Sequence, residues 1–391
     1  MIQLLRNLTV FAPEPLGVNH LLVAGGRVVW LGPDLTDLPA ALGAHVVDFE
    51  GRRAIPGLID CHVHVTGGGG ESGPQSRLAP LDRDEIAEAG ITTVVGLLGT
   101  DDTTRGTASL VAATRGLGAQ GLTAYCLTGG YHLPPVTLTG DVRGDIVHID
   151  RIIGVGEVAI SDHRSSQPTL RELLRLAADA HVAGMMAGKA GILHLHLGDG
   201  SQGLDMVREA LAKSELPPRV FNPTHINRKR ALFEEAIALA REGCTVDLTA
   251  FPVADGDDAW SAADGLVRFL DSDAPADGIT VSSDAGGCLP EFDAHGRIIR
   301  MDVGRPHALH ATLRELLVAG EPLERVLPAF TSNVARILRL DRKGTIRVGA
   351  DADLTILTDQ GDISDVMALG HWHMRTGSMT APQSATMLHD A

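Results

Sequence analysis

The chain predicts an α/β fold: a (β/α)8 TIM-like barrel with a small β-sandwich domain built from both termini. Two observations carry this expectation. Across residues 54–342, eight short apolar runs alternate with amphipathic stretches, as parallel strands alternate with crossover helices. On either side, residues 1–53 and 343–391 read mainly as strands and turns. A length of 391 residues suits one large barrel and one smaller attachment.

The elements follow in chain order. Gly25-Gly26 separates Leu21-Leu22-Val23 from Arg27-Val28-Val29-Trp30, a hairpin signal. The eight apolar runs are 54–59, 92–98, 123–128, 152–158, 192–197, 220–223, 245–248 and 279–282. Between them, 170–187, 203–213, 228–242 and 308–319 have helical spacing of apolar residues. Residues 321–340 read as one further helix, with Pro322 near its start. Strand and turn chemistry returns at 344–354, and the two terminal β segments are expected to pair. The stretch from about Gly377 is polar and reads as weakly ordered.

Composition narrows the partners. Hydrophobic residues make up 44% of the chain, enough for a substantial core, and the mean hydropathy is +0.09. No uninterrupted apolar run is long enough for a membrane span. Residues 1–10 are too polar for a signal-peptide core. A net charge of −16 argues against nucleic acid or an anionic membrane as a partner. Cys61, Cys126, Cys244 and Cys288 lie far apart, which implies no disulfide framework and a reducing, cytoplasmic setting.

In such a barrel the chemistry sits where strands end. Strand 1 runs into Asp60-Cys61-His62-Val63-His64. Side chains alternate along a strand, so His62 and His64 share a face and can grip one metal ion. An isolated H-x-H is more often a pair of polar residues at a strand end. Here the other strand ends add to it. Strand 3 leads into Gly129-Gly130-Tyr131-His132. Strand 4 carries Glu157, followed by Ser161-Asp162-His163-Arg164. Strand 5 ends in His194-Leu195-His196, and strand 6 in Thr224-His225, before Asn227-Arg228. Strand 8 ends in Ser282-Ser283-Asp284. Each residue singly reads as well as a satisfied polar group. Their convergence on one mouth favours a site. Imidazoles and carboxylates without clustered thiolates favour zinc, with manganese and cobalt as alternatives. Such an ion brings the pKa of bound water from ~15.7 towards ~7. A nearby aspartate can take that proton and pass it to a leaving amine. Together these describe metal-assisted hydrolysis of an amide or ester.

The layout resembles the amidohydrolase superfamily and, more closely, the isoaspartyl (β-aspartyl) dipeptidase family, over nearly the whole chain. The stretches that carry the resemblance begin with His62-Val63-His64-Val65-Thr66-Gly67-Gly68-Gly69-Gly70-Glu71, Gly99-Thr100-Asp101 and Gly130-Tyr131-His132-Leu133-Pro134. Further along they are Ala159-Ile160-Ser161-Asp162-His163-Arg164, His196-Leu197-Gly198-Asp199, Pro223-Thr224-His225-Ile226-Asn227-Arg228 and Ser282-Ser283-Asp284. The resemblance implies that His62, His64, His196, His225 and Asp284 are metal ligands, with Asp284 also the general base and acid. It implies that Tyr131 polarises the scissile carbonyl and that Arg164 and Arg228 hold substrate carboxylates. By the same resemblance Glu71 meets the substrate α-ammonium, with Thr100 in the same pocket. It also implies a small zwitterionic dipeptide as substrate, two zinc ions per subunit and a homo-oligomer.

Two departures stand out. The family carries a carbamylated lysine on strand 4 that bridges two metals, where this chain has Glu157. A glutamate supplies the bridging charge but is shorter by roughly 3–4 Å. Three arrangements follow: deeper metals, a shifted strand 4, or one filled site. In a fourth, Glu157 makes an ion pair and binds no metal. Lys189 precedes strand 5 and is expected at the opposite end of the barrel. The second departure is Cys288, where the family has a serine that touches substrate. It is read as packing or a weak substrate contact rather than a nucleophile. His194 is read as a supporting or barrel-core histidine, His132 and His163 as orienting their neighbours, and His371 and His373 as a surface pair. The expected activity is zinc-dependent hydrolysis of β-aspartyl dipeptides. Alternatives are opening of a cyclic amide, removal of an N-acyl group, or a metal-binding scaffold without turnover.

Overall fold

The structure is a computed structural model that describes residues 1–35, 37–292 and 298–380. Eight parallel strands line the barrel: β1 (Leu58–Val63), β2 (Ile91–Gly96), β3 (Thr123–Thr128), β4 (Ile152–Ile160), β5 (Ile192–Leu197), β6 (Phe221–Thr224), β7 (Val246–Thr249) and β8 (Ile279–Ser282). Nearly every residue in them is buried, because helices cover the outside and side chains fill the inside. Strands β1 to β6 form one continuous sheet, and β7 pairs with β8. A bridge from Val63 to Ala285 joins β1 to the chain leaving β8. Side chains link β6 to β7. Asn222 Nδ2 donates to the Thr245 carbonyl at 3.0 Å, and the Thr224 hydroxyl donates to Asp247 at 2.7 Å.

Helices form where the sequence has both spacing and caps. The helix Leu170–Ala187 starts with a Thr169–Glu172 capping box and stops at Gly188 in the left-handed region. Leu173, Leu176, Ala177, Ala180 and Ala183 make its buried stripe. The single helix expected at 321–340 is instead three pieces: Leu323–Val326, a 3-10 turn Leu327–Phe330, and Ser332–Ile337. Pro328 explains the break, since it has no N–H to donate and its ring crowds the preceding turn.

A nine-stranded mixed sheet is drawn from both ends of the chain. Ile2–Phe11 pairs with Pro15–Ala24, which turns at Gly25-Gly26 into Arg27–Gly32 as the hairpin signal predicts. Leu354–Leu357 pairs with Arg53–Pro56 and joins the C-terminal strands to the N-terminal ones. Leu5, Val10, Leu21, Phe49, Ile356 and Met367 meet in a core separate from that of the barrel. The apolar run expected at 54–59 is therefore two strands: Arg53–Pro56 in this sheet and β1 in the barrel. Gly57 lies between them, and any Cβ there would collide with the Thr92 side chain.

The C-terminal segment corrects two expectations. Ser378–Met379 adds a short strand where weak order was expected, while residues 381–391 lie outside the described residues. His371 and His373 are not a surface pair. His371 is exposed, but His373 is 3% exposed and packs near Gly121, because a bulge between the Trp372 and Met374 pairings interrupts the alternation that would otherwise keep the two rings on one face. Among the described residues, no helix is long and apolar enough to cross a membrane.

Candidate active site

The strand ends bring the predicted ligands together at the mouth of the barrel. His62 lies on β1, and His64 follows it by two positions. Glu157 lies on β4, His196 on β5, His225 just after β6 and Asp284 just after β8. His225 and Asp284 both take left-handed backbone angles, with φ of 61° and 53°. Such conformations are uncommon for non-glycine residues and gather at functional sites.

Distances define the cluster. Asp284 Oδ1 is 3.4 Å from His62 Nε2 and 3.1 Å from His64 Nε2. Glu157 Oε2 is 3.5 Å from both His62 Nε2 and His225 Nε2, and 3.0 Å from His196 Nδ1. Its other oxygen, Oε1, is 3.5 Å from His64 Nε2. Glu157 thus faces four imidazoles with two oxygens, each within ion-pair range. Within this cluster two sets of three donors are compact enough to hold an ion: His62, His64 and Asp284, and His62, Glu157 and His225. His62 belongs to both. His196 stands beside both sets: its Nδ1 lies 3.0 Å from Glu157 Oε2 and 2.8 Å from the Tyr131 hydroxyl, and its Nε2 lies 3.0 Å from Asp162.

Two buried atoms decide whether this donor set fits a metal. His62 Nε2 and Asp284 Oδ1 are both fully enclosed, and neither has a hydrogen-bond partner. Leaving such atoms unpaired costs about 1–3 kcal/mol each. A cation between them removes that cost, and imidazole and carboxylate are ligands that zinc accepts. The residues present therefore fit a metal.

The local charges agree. Burial pushes His62 down, but Glu157 and Asp284 outweigh it and hold its pKa well above the ordinary value. Burial raises Glu157, yet the facing His62 and His196 charges hold it well below the usual carboxylate range. Asp284 is lowered in the same way, with His62 and His64 overcoming its burial. Burial holds His225 well below its ordinary value, which favours the neutral ring.

How Glu157 reaches the cluster is visible in β4. Gly154 and Val155 pair with Ile192 and Leu193, but the next pair is Val158 with Leu195. Gly156 and Glu157 thus stand opposite the single residue His194, a bulge that re-aims a side chain. Gly156 has φ of 149°, and a Cβ there would lie 2.7 Å from the His194 carbonyl oxygen. This bulge sets where the short carboxylate stands among the imidazoles.

The surrounding pocket is lined by Glu71, Thr100, Tyr131, Arg228 and Cys288, together with His64, Glu157, His196 and Asp284. Arg228 donates to the Leu197 carbonyl at 3.1 Å. Arg164 grips both oxygens of Asp162, at 3.0 and 2.7 Å, and lies 3.8 Å from Glu71 Oε1. Glu71 Oε2 is buried without a hydrogen-bond partner. Burial and the Glu157 charge raise the Tyr131 phenol well above its ordinary value, so it keeps its proton. Burial, then Glu71 and Asp284, push the Cys288 thiol up to about 12, which leaves it a poor nucleophile at neutral pH.

Other expectations can be placed. His194 lies 2.8 Å from His62 Nδ1 and supports it. His132 bonds Asp102 at 3.0 Å, and His163 bonds Asp199 at 3.0 Å. Lys189 donates to the Ile146 and Ile149 carbonyls before β4, at the far end of the barrel. Three residues had no role in the sequence reading. Asp162 holds His196 and Arg164, and its position two residues before Arg164 was a usable signal. Arg105 donates to the carbonyls of Thr66, Gly68, Gly69 and Leu78 and to Asp101, and nothing in its sequence surroundings indicates this. Asn222 receives His194 at 2.6 Å, a contact that only the barrel creates.

Comparisons with known proteins agree with the geometry. The amidohydrolase family pattern matches residues 53–373. A β-aspartyl dipeptidase from Fervidobacterium islandicum AW-1, solved in complex with a β-Asp-Leu dipeptide, is 41% identical, with a TM-score of 0.92 over 97% of this chain and 98% of that one. An imidazolonepropionase from Sphingopyxis alaskensis is 40% identical over 132 residues, which span only 32% of each protein. One from Paracoccus denitrificans is 28% identical over 86% of each. The enclosed donor cluster, the family pattern and the full-length likeness converge: the chain is a hydrolase of the amidohydrolase family, and within it belongs to the β-aspartyl dipeptidases.

Proposed function

We propose that the protein hydrolyses β-aspartyl dipeptides with two zinc ions held by His62, His64, Glu157, His196, His225 and Asp284. The observation that carries this reading is the charge pattern around the donor cluster. A β-aspartyl dipeptide has two carboxylates and one ammonium. The pocket offers Arg228, the neighbouring Arg164, and a buried Glu71 oxygen that has no partner of its own. An incoming ammonium satisfies that oxygen, and a guanidinium fork suits each carboxylate.

When bound, the metal supplies a Lewis acid and acidified water. Asp284 accepts the proton of the attacking water and returns it to the nitrogen of the breaking amide bond. Tyr131 keeps its proton and can donate to the carbonyl oxygen as negative charge grows there. Glu71, Arg164 and Arg228 fix the substrate by its charged ends, which aligns the amide with Asp284. Cys288 and Thr100 shape the pocket wall.

Purified, zinc-replete protein is expected to release aspartate and leucine from β-Asp-Leu. Metal analysis is expected to find two zinc ions per chain. Intact dipeptide after prolonged incubation would remove the reading. The partial likeness to imidazolonepropionases supports a second reading, in which the substrate is an imidazolone. Turnover of an imidazolone in preference to β-Asp-Leu would favour it.

A further inference from the structure

Below the metal-ligand candidates, a chain of hydrogen bonds runs from a backbone carbonyl to His62. The Thr245 carbonyl can only accept. It therefore takes the amide nitrogen of Asn222, at 3.0 Å, and this turns Asn222 Oδ1 towards His194. That oxygen lies 2.6 Å from His194 Nδ1 and can also only accept, so Nδ1 carries the proton. Among the described residues His194 bonds only Asn222 and His62, and its Nε2 presents a lone pair. His62 Nδ1 lies 2.8 Å from that lone pair and must donate to it. With the ring neutral, as binding a metal requires, the one lone pair on His62 is then at Nε2. This is the enclosed nitrogen without a partner, facing Asp284 Oδ1 and Glu157 Oε2. Asn222 is 3% exposed and His194 1% exposed, so water does not compete along the chain.

We propose that Asn222 and His194 are positioning residues that lock His62 in its Nδ1-protonated tautomer and aim Nε2 at the metal. Nothing in the residue assignments implied by family resemblance requires them. The proposal rests on the metal-dependent reading, and the two can fail separately.

The test uses the full chain and zinc alone, titrated against a competing chelator. Substituting His194→Leu keeps bulk but removes both nitrogens. The zinc affinity of the cluster is expected to fall about 10- to 100-fold, the usual cost of losing a partner that orients a ligand. His194→Gln is expected to recover most of it, because the amide oxygen accepts from His62 while the amide nitrogen donates to Asn222. Unchanged zinc affinity in H194L, or H194Q no better than H194L, would overturn the proposal. Wild-type protein that takes up no zinc would overturn the metal reading and the proposal with it. Should H194L fail to fold, nitrogen-15 spectra of the histidines in zinc-loaded wild type decide the matter. Protons on Nδ1 of both His194 and His62 support the relay, and a proton on His194 Nε2 refutes it.

Discussion

At Glu157, a carboxylate 1% exposed to solvent is surrounded by imidazoles rather than by one ion-pair partner. A buried charge is costly to strand, so its neighbours must supply positive charge or a metal. The same reasoning applies to the two unpaired atoms on His62 and Asp284. Residue types at and near the strand ends pointed to one cluster, the family resemblance singled out which of them to expect as ligands, and the structure brings those residues together. What spacing did not reveal were partners from other strands, such as Asp162 on His196 and Asn222 on His194. Two predictions belong at this scale. Tyr131→Phe keeps the ring and loses the hydroxyl, so kcat is expected to fall about 10²–10³-fold with zinc content unchanged. Steady-state kinetics and metal analysis on the same preparation check both halves. Arg228→Met removes one guanidinium from the pocket. KM for β-Asp-Leu is expected to rise by at least about tenfold, while an analogue without the α-carboxylate shows little change. An equal effect on both substrates would show that Arg228 does not read that carboxylate.

Among the elements, the loop from Thr66 to Glu71 depends on a residue outside it. Arg105 is 7% exposed and donates to three of the loop's carbonyls as well as to Leu78 and Asp101. The glycines let the chain turn tightly but cannot hold it in one shape; the guanidinium does. Arg105→Met is expected to loosen Glu71 and raise KM by roughly tenfold, with a smaller change in kcat. Faster amide exchange across residues 66–71 would accompany it. The elements themselves were mostly legible, because buried parallel strands read as continuous apolar runs. Three strands, Thr123–Thr128, Ile192–Leu197 and Ile279–Ser282, fall where the apolar runs place them. The helix expected at 321–340 was misread because helical apolar spacing continues through Pro328, and spacing alone does not register a missing N–H. The strand expected at 54–59 was misread because apolar residues continue through Gly57 while their partner strands change.

Over the whole molecule, two stability predictions follow. Zinc that binds only the folded chain stabilises it by roughly 4 kcal/mol at a free concentration a thousandfold above Kd. Removing it with a chelator is expected to lower Tm by several degrees, and adding zinc back to restore it. The second concerns His373, where the C-terminal strands pack near Gly121. Burial pushes this ring from its ordinary 6.5 down to about 4. Between those values the unfolded chain holds a proton that the folded chain does not. Stability contributed at this position therefore falls as pH drops from 6.5 towards 4. The full difference is about 3 kcal/mol, at 1.36 kcal/mol per pKa unit. His373→Phe is expected to flatten the acid limb of the stability curve relative to wild type. Parallel denaturant titrations at pH 7 and pH 5 test this, and identical slopes in both proteins would count against it.

The junction at Gly57 has a consequence for how this chain tolerates change in length. The terminal sheet holds Pro56 opposite Leu354, and His62 follows by six positions on the same run of backbone. One inserted residue between them advances the strand by about 3.3 Å and turns every following side chain to the other face. Both histidines would leave the mouth of the barrel together. A two-residue insertion would restore the facing but not the height. The terminal sheet thus acts as a ruler for the catalytic strand, and insertions or deletions at 57–61 should be far more damaging than point changes there.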